Sequence, residues 1–189
     1  MSRIRKCGAI AVVAVVATVG CSPADDDTVV VLAASSLVDA FDRIEAEFEA
    51  AHPGVDIVVS AGGSSTLVAQ LTDGAPADVL ATADLETMAR AEAAATIARR
   101  PRVFAQNSMV IAVEVGNPLG VMSVADLGRV PVVVLAAAEV PAGAYAAAVL
   151  DCEGVELVVA SYEQNVRAAA SKVALGEADA AIVYRTDIG

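Results

Sequence analysis

Tryptophan is absent, phenylalanine and tyrosine occur three times each, and there is a single histidine. With so few aromatics, an interior must be filled by Ala, Val, Leu and Ile. One histidine also limits chemistry. A serine nucleophile needs a base within hydrogen-bond reach, and His52 sits beside Pro53-Gly54 at the end of a helical pattern, where it complements a helix C-terminus. Hydrolase activity is therefore not expected. Neither is a metal held by side chains, since no Cys-x-x-Cys or paired histidines occur. Basic residues are also scarce: 12 Lys+Arg face 24 Asp+Glu. That balance repels nucleic acid and anionic headgroups and gives no long-range attraction to an anion. An anion site in such a chain must act at contact range. Polar linkers, low-complexity tracts and internal repeats are missing beyond Asp27.

Near the N-terminus, Gly8 to Gly20 is a thirteen-residue stretch without charge. It is too short to span a bilayer, which takes roughly 20 apolar residues. Preceded by Arg3, Arg5 and Lys6, it reads as an export signal over residues 1–20. Small residues directly before Cys21, with Ser22-Pro23-Ala24-Asp25-Asp26-Asp27 after it, resemble a bacterial lipoprotein cleavage site, although Thr18 stands where an aliphatic is usual. Cys21 would then carry lipid, with residues 21–27 as an acidic, solvated tether. The mature chain keeps nine of the basic residues and all 24 acidic ones, a formal charge of −15. Cys7 leaves with the signal and Cys21 is spent on lipid, so Cys152 is alone and no internal disulfide is expected. About 168 residues remain, enough for one core or two small lobes.

Valine-rich runs alternate with helical patterns. Strands are predicted at 28–34, 55–60, 78–82, 109–115, 132–136, 157–160 and 180–184. Helices are predicted over 37–51, 65–71, 85–95, 142–150 and 166–175, the first from Leu37, Phe41, Ile44, Phe48 and Ala51 at steps of three and four. Gly74 and Gly176 are placed as helix stops. This order implies βαβ units and mostly parallel sheets flanked by helices, an α/β fold. The texture changes at Arg99-Arg100-Pro101-Arg102. A boundary near residue 104 would give lobes of 28–104 and 105–189; alternatively, the arginines are a solvated loop within one sheet.

Chemistry gathers where strands run into helices. Ser35-Ser36 follows the first strand and Gly62-Gly63-Ser64-Ser65-Thr66 the second. A helix N-terminus offers unpaired N–H groups and the positive end of the helix dipole, and serine adds a hydroxyl. The glycines let a ligand approach the backbone. Each junction also has an ordinary reading as a helix cap; Ser36 with Asp39 has the spacing of a capping box. The two roles are compatible, because one hydroxyl can accept and donate at once. Later, Pro141 at a helix start leaves the N–H groups of Ala142 and Gly143 free, Asn165 is placed to cap the helix from Val166, and Tyr184 ends the last strand. Pro141 alone is equally a plain helix start, and Tyr184 a core aromatic with a satisfied hydroxyl.

Ala34-Ser35-Ser36-Leu37, Gly63-Ser64-Ser65-Thr66-Leu67, Gly74-Ala75-Pro76-Ala77-Asp78, Val140-Pro141-Ala142-Gly143, Asn165-Val166-Arg167 and Ile182-Val183-Tyr184 together resemble the periplasmic molybdate-binding proteins of ABC importers, in order and spacing over nearly the whole mature chain. The resemblance implies a two-lobed periplasmic-binding-protein-like fold that closes around molybdate or tungstate. It also implies a monomer, exported and held at the outer face of the membrane or in the periplasm, that serves a membrane permease without any cofactor. It implies five ligand positions: the hydroxyls and N–H groups of Ser36 and Ser64, the N–H groups of Ala142 and Val166, and the Tyr184 hydroxyl. Ser35 and Ser65 are the near-register alternatives. A site made only of donors satisfies a dianion without an ionic partner and rejects protonated phosphate, whose O–H would be left unpaired. Proteins of this kind return to the first lobe with a further C-terminal segment. The sequence stops at Gly189, so the C-terminal part of the first lobe is expected to be absent. A receptor for sulfate or another oxyanion, and a lipoprotein that binds a protein partner, are the rival readings.

Overall fold

The computed structural model describes residues 27–188. The export signal and Cys21 lie outside the described residues, as does the tether apart from Asp27, which opens the first strand.

The first sheet has the order β2-β1-β3, all parallel, built from β1 (Asp27–Ala34), β2 (Val55–Gly62) and β3 (Val79–Ala81). Helices α1 (Val38–Ala51), α2 (Ser64–Thr72) and α3 (Leu85–Ala93) connect or follow these strands. β1 is central, and its second half, Val31 to Ala34, is buried. The edge strand β2 alternates half-buried and exposed residues, as a period-two side-chain pattern requires. Along α1 the apolar stripe exists, yet Ile44 is 51 % and Phe48 40 % exposed, and no residue of the helix is fully buried.

Residues 94–108, which include the arginine cluster, contain no helix or strand and lead into the second sheet. That sheet has the order β4-β7-β5-β6, from β4 (Met109–Val113), β5 (Val133–Ala136), β6 (Val159–Glu163) and β7 (Ala180–Tyr184). β7 lies parallel to β5, and β5 to β6, while β4 runs antiparallel to β7. The central β7 is buried throughout and shows why its sequence carries no polar alternation. Ala181 and Val183 face a core shared with α5 (Val166–Ala174), whereas Ala180 and Ile182 face a second core shared with α4 (Pro141–Glu153).

The helix boundaries follow local chemistry. Gly74 and Gly176 adopt left-handed φ of +95° and +70° and end α2 and α5. Gly154, at φ +64°, ends α4 in the same way, a stop the sequence reading did not mark. A short 3-10 helix at Val124–Arg129, opened by a capping box between Ser123 and Asp126, was also not anticipated. The capping box expected at Ser36 and Asp39 does not form. Ser35–Leu37 make a 3-10 turn with no side-chain cap, and the Asp39 carboxylate instead meets Arg167.

Candidate functional site

In a parallel βαβ unit, every strand delivers the chain at the same end of the sheet, so successive helices start on one side. Here the ends of β1 and β2 and the starts of α4 and α5 face one another across the two sheets. They enclose a small cleft of about 10 Å³. That is far below the roughly 300–1,000 Å³ of clefts that take drug-sized ligands, and it limits any occupant to a small one such as a compact ion.

Ser36, Ser64, Ala142, Val166 and Tyr184 all line this cleft, and so does Ser35. Ser64 is 2 % exposed and opens α2, whose N-cap residue Gly63 provides no side-chain cap. Its Oγ accepts the Ala83 N–H at 3.0 Å, which leaves the hydroxyl proton free to donate. Ser65, the alternative in that motif, is engaged elsewhere: its hydroxyl donates to the Glu139 carbonyl in the loop before α4. At the first junction, Ser36 lies within the 3-10 turn Ser35–Leu37, which has no side-chain cap among the described residues.

The second sheet contributes backbone. Pro141 occupies the first position of α4, so Ala142 and Gly143 carry its first N–H groups. A Cβ on Gly143 would lie 2.0 Å from the Ala137 carbonyl oxygen and 2.4 Å from that of Ala136. The absence of a side chain is what seats α4 this close to the end of β5. On α5, Asn165 is the N-cap, its Oδ1 accepting the Ala168 N–H at 2.9 Å, and Val166 is the first helical residue. First-turn N–H groups have no partner inside their own helix. Among the described residues, no bond from outside takes up those of Ser36, Ser64, Ala142 or Val166.

Tyr184, 5 % exposed, completes the lining. Its hydroxyl is buried with no hydrogen-bond partner among the described residues, unlike the satisfied core tyrosine that was the ordinary expectation. Burial, reinforced by the negative charge of Asp84 and Asp187, pushes its ionisation well above the usual tyrosine range. The group therefore stays a neutral O–H donor at physiological pH. Among the described residues, none that lines the cleft is lysine or arginine. What the arrangement offers is a set of fixed dipoles aimed at one small space, able to satisfy the oxygens of an anion without reorganising.

Ala83 also lines the cleft. It was not singled out in the sequence, although it directly follows the third predicted strand as the serine motifs follow theirs. Gly63 contributes through closeness, since a Cβ there would lie 2.7 Å from the Gln164 carbonyl oxygen. Gly62, paired with it in the sequence reading, abuts the Leu67 side chain. His52 is remote from this chemistry. It caps the far end of α1, roughly 20 Å along the helix from Ser36, where Nδ1 contacts the Phe48 carbonyl at 2.9 Å and the ring stacks on Phe48.

Two small α/β sheets with donor-lined helix starts between them define a solute-binding protein of the two-lobed kind. The chain belongs to the bacterial extracellular solute-binding protein family, whose model matches residues 29–188. It is 42 % identical over 161 residues to the molybdate-binding protein ModA of Mycobacterium tuberculosis strain H37Rv, covering 85 % of this chain and 62 % of that one. It is 32 % identical over 184 residues to the molybdate-binding protein ModA of Escherichia coli K12, covering 90 % and 70 %. The chain thus spans less than two thirds of the length of its mycobacterial relative. In fold it is similar to the periplasmic molybdate-binding protein of Azotobacter vinelandii, with a TM-score of 0.60 at 19 % identity over 82 % of this chain and 71 % of that one.

Ser64→Ala removes one donor from the cleft and the acceptor of the Ala83 N–H. We expect anion affinity to fall roughly tenfold and stability by about 1 kcal/mol, measured by calorimetric titration and thermal melting. Unchanged affinity would move the ligand role away from Ser64.

Proposed function

We propose that this protein binds extracytoplasmic molybdate or tungstate and delivers it to the membrane subunit of an ABC-type importer. The observation that carries the reading is the convergence of uncommitted neutral donors from both sheets on one small cleft, with the Tyr184 hydroxyl buried at its wall and unpartnered among the described residues. Ser36 and Ser64 serve as hydroxyl and N–H donors, Ala142 and Val166 as N–H donors, and Tyr184 as the closing hydroxyl. The choice of molybdate is supported by the names of the relatives, both molybdate-binding proteins.

In this reading residues 28–104 and 105–189 act as two lobes. Closure around the anion excludes water and presents a closed face to the permease. The chain works as a monomer, exported by residues 1–20 and held at the membrane by lipid on Cys21. It performs no chemistry on its ligand.

Thermal melting of the full-length protein with molybdate, tungstate, sulfate and phosphate tests the proposal. A ligand at 100 times its Kd adds about 2.7 kcal/mol to stability, so molybdate and tungstate should each raise the melting temperature, with phosphate without effect. A shift with sulfate alone would assign the site to a sulfate receptor. No shift with any oxyanion would leave a protein-binding lipoprotein as the better account.

A further inference from the structure

We infer that Asp39 and Arg167 form a latch that holds the two sheets closed over the oxyanion, and that they set its affinity without touching it. The inference rests on the oxyanion reading above. Asp39 lies in the first turn of α1, three residues after Ser36, and Arg167 directly follows Val166 on α5. The guanidinium spans the two sheets with a paired grip, Nη2 to Oδ1 at 2.8 Å and Nη1 to Oδ2 at 3.2 Å. A bidentate pair fixes orientation as well as distance, so the starts of α1 and α5 are held in register just behind two of the proposed donors. The Asp187 carboxylate, which accepts the Tyr184 N–H at 3.1 Å, lines the same groove as the pair. A second tie crosses at the other serine junction, where Ser65 bonds to Glu139.

Two physical effects compete at this position, and they differ in sign. Asp39 places negative charge near the N-terminus of α1. If only its electric field mattered, Asp39→Asn would favour a dianion and tighten binding. If closure matters more, the same change loosens the grip on Arg167 and weakens binding. Arg167→Gln weakens binding under either effect, so the aspartate variant decides.

Both side chains are partly exposed, at 64 % for Asp39 and 43 % for Arg167. Solvent therefore limits the effect to roughly two- to fivefold for each single variant. The experiment is a molybdate titration of the full-length wild type, Asp39→Asn, Arg167→Gln and the swap of Asp39→Arg with Arg167→Asp, with stopped-flow dissociation rates and a melting curve for each. The latch predicts weaker binding and faster release for both singles and recovery of most of the affinity in the swap. It also predicts that these changes do not follow the melting temperatures. Tighter or unchanged binding by Asp39→Asn, or a swap that fails to recover although folded, overturns it while the oxyanion reading stands. Wild-type protein that binds no oxyanion overturns that reading and the latch with it.

Discussion

Replacing Gly143 with alanine is expected to destabilise the protein by about 3 kcal/mol, at the upper end of overpacking costs, and to abolish tight anion binding. Ordinary helix propensity argues for the opposite result, because alanine is favoured over glycine inside a helix by about 1 kcal/mol. The clash decides the sign. An added Cβ would stand 2.0 Å and 2.4 Å from two backbone carbonyl oxygens, and backbone cannot step aside as a flexible side chain can. Relief requires α4 to move away from the end of β5, taking the Ala142 N–H with it. For a domain of this size the melting temperature should fall by roughly 6–12 °C, and molybdate should no longer raise it appreciably. A variant as stable as the wild type with intact binding would show that α4 is not seated as described.

Tyr184→Phe is expected to move stability and affinity in opposite directions. Among the described residues the Tyr184 hydroxyl is buried without a partner, so its loss removes a desolvation cost and should leave stability unchanged or raise it by about 1 kcal/mol. In the proposed complex the same hydroxyl would donate to a charged oxygen, a bond of about 1.5–3 kcal/mol, so affinity should fall roughly 10- to 100-fold. Melting curves without ligand and a calorimetric titration with molybdate read the two quantities separately. A merely structural tyrosine would lower stability and spare affinity.

The parts of this molecule that depend on neighbours in sequence were legible before any coordinates. The apolar run Ala180–Tyr184 forms the strand it suggested, and helices begin at Pro141 and Val166 because proline and an Asn cap fix those starts locally. The five proposed ligand positions came from resemblance together with the chemistry of helix starts. Features that depend on distant partners were not legible. Nothing in Met109–Val113 says that it will pair antiparallel with Tyr184–Ala180, because strand direction is set by where the chain enters the sheet. Asp39 has the spacing of a cap for its own helix, and the structure spends it on Arg167, 128 residues away. Ala83 has no side-chain chemistry to notice; its N–H matters because Ser64 lies across from it.

Diffraction at the molybdenum absorption edge, from crystals of the full-length protein grown with molybdate, would locate the anion itself. A single anomalous peak is expected in the cleft, its oxygens within hydrogen-bond distance of the Ser36 and Ser64 hydroxyls, the Ala142 and Val166 N–H groups and the Tyr184 hydroxyl, with no lysine or arginine in contact. An empty cleft, or a peak held by a basic side chain elsewhere on the surface, would contradict the proposed site.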